Sequence, residues 1–438
     1  SPAMRVGAIA LLGLGLIAAG ELALRKAMRV FAVGMLGGGI ALLYLSAFGA
    51  HKFYGLIDQT PASIGYMAIT AASAIIAVHA RMLPVAVLGL LGGLATPILL
   101  SRGDNKQVEL LTYLLALDAA FLIVGSIRRW DVMRLLAWLG TVALFGGWAV
   151  TYYPTHVAAD AAATLLHPVA WRTALFATAF YLLFHAEAVV SLRLGRALHG
   201  RLVAGVTGLN YAAFFATVYF TLRTVVPDWM GLFAVAAAAL QWVTAWRLLG
   251  GSTLARYTRR SLWLGGAGML ALAAPMQFDR YLVSVSWSVQ GVVTLAFARR
   301  FAGELWIRIK GAALPIAALA HLVIFEYRDP AMRERFAEFG QWYANGLLLC
   351  FVGSALCCYA GGILLVARRT ASQADQKAST LLVALGTVSL LAIFANQWER
   401  FIASWWWIAL AAIWCAAGLR WRPAALMGAL FAVAVAAK

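Results

Sequence analysis

Asp118, His185 and Glu187 are ionisable side chains set deep inside long apolar runs of this chain. Asp118 is flanked by Leu115-Ala116-Leu117 and Ala119-Ala120, and His185 and Glu187 follow Tyr181-Leu182-Leu183-Phe184. A charge at such depth is costly, so groups of this kind face a bundle interior or a water-filled cavity. A carboxylate opposite an imidazole or a second carboxylate has the chemistry to relay a proton or hold a cation. Positions two apart on a helix point about 200° from each other, so His185 and Glu187 address different neighbours. Asp118 is then placed to pair across helices with one or the other if the relay reading holds. The same three groups serve equally well as buried polar bonds that fix helix packing, and the residues alone leave both readings open.

Other candidates read more plainly. His156 and Asp160 lie one helical turn apart, with His167 beyond them. That spacing is compatible with metal ligation. Val157, Ala161, Leu165 and Leu166 make the segment read better as an interfacial helix resting on lipid, and no metal site is assigned. Gly37-Gly38-Gly39 and Gly92-Gly93 follow no strand and carry no Walker lysine; they read as small residues that let helices approach closely. His321 and Glu326 read as interfacial. No Ser-His-acid set, HExxH or CxxC occurs, the four cysteines lie within apolar runs, and no cofactor is expected. Whether the chain is an enzyme stays open.

The elements that must position these groups are apolar runs from end to end. Residues 6–24 form the first, closed by Arg25, Lys26 and Arg29, and residues 30–50 the next, closed by His51 and Lys52. Roughly 20 apolar residues cross a bilayer as a helix, and only helices satisfy their own backbone in lipid there. The chain is 63% hydrophobic and 12% charged, with mean hydropathy +0.83. A soluble globular domain is excluded, since about a quarter of its residues would be charged. The expected fold is all-α, a polytopic transmembrane bundle of about sixteen spans, forming a single integral membrane domain over 1–438. The net charge of +18 is spread over span ends rather than one face. It therefore reads as topology and contact with anionic lipid, with no nucleic acid partner. Numbering the gaps between spans in order, the odd ones hold 23 basic residues, Arg134, Arg256 and Arg308 among them, against 10 in the even ones. This places odd gaps in the cytoplasm and both termini outside, in a bacterial inner membrane.

Two segments echo each other. Gln277-Phe278-Asp279-Arg280-Tyr281-Leu282-Val283-Ser284 aligns with Gln397-Trp398-Glu399-Arg400-Phe401-Ile402-Ala403-Ser404, and Trp287 then matches Trp407. Repeat units near 261–310 and 380–430 imply a bundle built from duplicated helix hairpins, a plan common among transporters. Asp279, Arg280, Glu399 and Arg400 lie at external tips beside aromatic residues, where they are candidates to grip a glycan or a lipid headgroup. The stretches Gly37 to Ser46, His51 to Leu56 and Ala86 to Ser101 resemble the bacterial polytopic membrane proteins of domain-of-unknown-function family 2339, best over about residues 5–150. The resemblance implies a many-span bacterial inner-membrane protein and carries no catalytic residue with it.

Three functions fit. Repeats, short glycine-rich spans and the intramembrane acids suit a transporter or flippase for a lipid-linked or small polar substrate. The scarcity of deep polar groups suits a structural or accessory subunit of a larger membrane complex, with membrane lipids and other membrane protein subunits as partners. A membrane-embedded transferase acting on a lipid-linked substrate would need an acidic external loop, for which Asp58, Asp160 and Glu338 are available.

Overall fold

A computed structural model describes residues 1–101, 103–159, 168–223, 225–247, 253–278, 281–298, 305–326, 346–366, 371–397 and 429. The described residues are helical throughout their regular structure. They divide between two compact units, Ser1–Pro227 with Ala239–Gly265, and Asp228–Ala238 with Gly266–Lys438.

The first unit is assembled from antiparallel pairs of consecutive helices. Helix α1 (Pro2–Arg25) packs on α2 (Arg29–Phe48), which runs on through a π turn, Gly49–Phe53. Likewise α3 (Gln59–Ala80) packs on α4 (Leu83–Leu100), α5 (Gln107–Arg128) on α6 (Asp131–Ala159), and α7 (Pro168–Arg193) on α8 (Gly200–Leu222). One turn closes all four hairpins. Ala27, Arg81, Arg129 and Gly195 adopt left-handed φ of 59°, 56°, 59° and 61°. The amides of the following Met28, Met82, Trp130 and Arg196 donate to the carbonyls of Ala23, Ala77, Gly125 and Ser191. This six-to-one bond defines a Schellman turn, and three of the four sites tolerate it without glycine.

Small residues set the helix spacing. A methyl on Gly39 would stand 2.6 Å from the Gly13 carbonyl oxygen, and one on Gly20 would stand 2.8 Å from Leu36 Cγ. The expectation of close packing through glycine holds for Gly37 and Gly39, which are buried in α2, and for Gly93 in α4. The core centres on Leu36, Ile40, Leu90, Leu114, Phe121 and Met133. Large apolar side chains are also exposed on the outside, Val30 at 85% and Val150 at 81% among them. Such a surface suits a lipid surround, because in water it would drive association.

Helices α9 (Met230–Arg247) and α10 (Thr253–Gln277) contribute to both units. The second unit adds α11 (Tyr281–Ala298), α12 (Leu305–His321), α13 (Gly346–Val366) and α14 (Gln373–Gln397), with α11 packed on α12 and α13 on α14. Among the described residues ten helices are long and apolar enough to cross a membrane: α1 to α9 and α13. That is fewer than the sixteen expected. Helix α10 opens with Arg256, Arg259 and Arg260, and α12 carries Arg308 and Lys310 inside its first turns. The runs expected at 402–418 and 423–437 lie outside the described residues, save residue 429.

Candidate functional site

The three intramembrane candidates part company. Asp118 lies on α5, fully buried, and takes a hydrogen bond from the Thr141 hydroxyl of α6. His185 on α7 places Nε2 3.3 Å from the Thr244 hydroxyl of α9, and its ring lies 5.3 Å from that of Tyr181. Glu187, two residues on, faces α6. It receives the Arg134 guanidinium in a bidentate pair, Nε to Oε2 and Nη2 to Oε1, the latter at 2.7 Å. The cross-helix pairings of Asp118 with His185 or Glu187 are thus replaced by three separate partners. Asp279, Arg280, Glu399 and Arg400, like Asp160, His167 and Glu338, lie outside the described residues.

Arg134 is the residue the apolar-run reading misplaced. Counted as a loop arginine, it sits in the first turn of α6 and is 3% exposed. Asp131, one turn earlier, stands 3.7 Å from its Nη1. The second oxygen of Asp131 accepts the amides of Leu198 at 2.9 Å and His199 at 2.6 Å. The Ser191 hydroxyl donates to Glu187 at 2.5 Å. Each charge therefore meets an opposite charge, the condition under which burial of ions is tolerated, while Arg134 Nη1 faces Asp131 without a hydrogen bond. Space beside Arg134 and Glu187 amounts to about 10 Å³ for a water centre, room for one molecule at most. The neighbouring arginines are also fastened: Arg128 donates to the Val78 carbonyl of α3, and Arg129 to the Gly195 carbonyl at 2.6 Å. The signal that could have found this cluster is Asp131-x-x-Arg134 directly after a turn, one helical face with acid and base in register.

At the other end of the same helices lies open space. A groove of about 840 Å³ runs among α3, α4, α5 and α6. Met67, Pro97, Ile98, Leu110 and Leu144 form apolar wall, while Asp104, Lys106 and Glu109 stand at the polar rim. The loop carrying Asp104 is strapped to α6, since the Trp148 indole donates to Asn105 Oδ1 at 2.8 Å and the Tyr152 hydroxyl to the Gly103 carbonyl at 3.0 Å. Pro97 within α4 has no N–H, which releases the Gly93 carbonyl from the helix ladder. Tyr113 of α5 also lines the groove, and its hydroxyl donates to that oxygen at 2.8 Å. The second unit repeats the device: Pro275 releases the Ala271 carbonyl, and the Trp287 indole of α11 caps it at 2.7 Å. Among the described residues no group of histidine, cysteine and acid side chains has the arrangement to hold a metal ion.

A family model described as "Predicted membrane protein (DUF2339)" matches residues 1–438, the whole chain. No curated protein and no solved structure matches.

Proposed function

The chain belongs to the DUF2339 family of predicted membrane proteins, and from that premise we propose that it carries a lipid-like amphiphile in the groove among α3 to α6, as a transporter or flippase for a lipid-linked or small polar substrate. One observation carries this reading: the groove combines apolar wall with a charged rim on a scale of about 840 Å³, within the 300–1,000 Å³ range of ligand sites. An acyl chain gains by lying on Met67, Ile98 and Leu144, and a headgroup gains by reaching Asp104, Lys106 and Glu109. The excess of basic residues in the odd gaps supports a cytoplasmic position for the Schellman turns. On that orientation the groove opens to the outer face of a bacterial inner membrane.

The test is reconstitution into liposomes holding a fluorescent phospholipid, with quenching of the outer leaflet. Protein-dependent loss of the protected inner fraction supports carriage; an inner fraction as stable as in empty liposomes rejects it. Orientation is read by labelling intact cells with an impermeant thiol reagent: Asp104→Cys should react and Arg81→Cys should not. A second reading, an accessory subunit of a membrane assembly, draws on the deep ion pair Arg134–Glu187, whose groups are engaged with each other. A membrane protein co-purifying in fixed ratio from mild detergent would favour it.

A further inference from the structure

We propose that the groove among α3 to α6 selects a zwitterionic phospholipid headgroup, its phosphate on Lys106 and its ammonium on Asp104 and Glu109. The inference rests on the groove reading above and adds the chemistry of the headgroup. In a chain of net charge +18, the described rim of this groove carries two carboxylates and one ammonium. A purely anionic headgroup would bring its phosphate to Lys106 and then face two carboxylates with nothing to offer them. A headgroup with phosphate and ammonium satisfies both signs. Lys106 Nζ pairs with Glu109 Oε2 at 3.6 Å, an exposed ion pair that a headgroup carrying both signs can replace contact for contact.

The rim is also held in place before a lipid arrives. Trp148 and Tyr152 tie the loop to α6 at Asn105 and Gly103, and the Gln59 amide donates to the Leu100 carbonyl at 3.3 Å. Preorganisation of this kind reduces the ordering cost of binding. The side chains of Lys106 and Glu109 are 46% and 72% exposed, so each charge contact contributes only modestly. The expected selectivity is accordingly about three-fold rather than absolute.

Delipidated protein in detergent, mixed with equimolar phosphatidylethanolamine and phosphatidylglycerol, would be examined by native mass spectrometry. Wild type should retain the zwitterionic lipid about three-fold over the anionic one, and Asp104→Lys with Glu109→Lys should invert the ratio. Both substitutions fall on exposed side chains, where most changes alter stability little. Gly147→Trp provides the control, because Gly147 lines the groove with open space where its side chain would begin. Equal retention of the two lipids by wild type and by the double variant overturns the headgroup assignment. If retention is lost in Gly147→Trp, the groove reading survives that result. Undiminished lipid on Gly147→Trp overturns the groove reading itself.

Discussion

At one end of the first unit Asp131, Arg134 and Glu187 are shut in behind short hairpin turns, whereas at the other Asp104, Lys106 and Glu109 ring a groove of about 840 Å³. The two charge clusters belong to the same helices. Helix α5 begins at the groove and ends beside the closed cluster, and over its 22 residues the rise is about 33 Å. Side-chain exposure separates them: 4% for Arg134 and 11% for Glu187, against 46% and 72% for Lys106 and Glu109. Ions deprived of water must be matched by their neighbours, so the closed cluster has little capacity left for a ligand. Ions at the groove keep theirs. Burial marks the charges that hold the bundle, and partial exposure beside apolar wall marks those whose weak surface pairing, Lys106 with Glu109, a ligand can exchange.

The sharpest way to break that contrast is to remove one cation from each end. Arg134→Leu strands Glu187 and Asp131 in the interior and should cost about 3–5 kcal/mol, the penalty for leaving a buried charge unpaired. Lys106→Leu should change stability by about 0.5 kcal/mol or less, as exposed substitutions do. Thermal unfolding in detergent, followed by the fraction remaining monodisperse, compares the two directly. Equal losses would mean that the ends do not differ in kind.

A smaller effect tests whether the groove wall is structural as well as receptive. Tyr113→Phe removes the donor to the Gly93 carbonyl that Pro97 leaves unpaired and should cost about 1–3 kcal/mol. Trp287→Phe does the same to the Ala271 carbonyl beneath Pro275 and should cost a similar amount, again about 1–3 kcal/mol. Unfolding curves of the two variants should shift together. A shift at Trp287 alone would show that water entering the groove replaces the tyrosine hydroxyl, which would sharpen the view of that end as open.

Some of this was legible in the residues and some was not. Long apolar runs and helix-packing glycines announced the membrane bundle, because burial in lipid is written in composition. Helix ends were not legible where charged residues continue the helix past its apolar part. By sequence Arg134, Arg256 and Arg308 read as gap residues for that reason, yet each lies within a helix. The partner of Glu187 was therefore hidden, although Glu187 itself stood out. Pro97 and Tyr113 are 16 positions apart in sequence, and nothing local says that one repairs what the other breaks. The groove was the least visible feature of all, since it is the space left among four helices and no residue type encodes it.

The smallest effect expected of a buried group concerns Asp118, which lies on α5 between the two ends. Asp118→Asn keeps an acceptor for the Thr141 hydroxyl in the same shape, so stability should move by about 1 kcal/mol or less. Asp118 faces α6 through Thr141 and lines neither the closed cluster nor the groove. Lipid retention in native mass spectrometry should then match wild type, and so should the rate of lipid transfer in liposomes. If transfer falls while retention stays normal, Asp118 is engaged in the step that follows binding. The closed and open ends would then be parts of one moving assembly, and the carboxylate between them would be the group through which a proton or cation drives it.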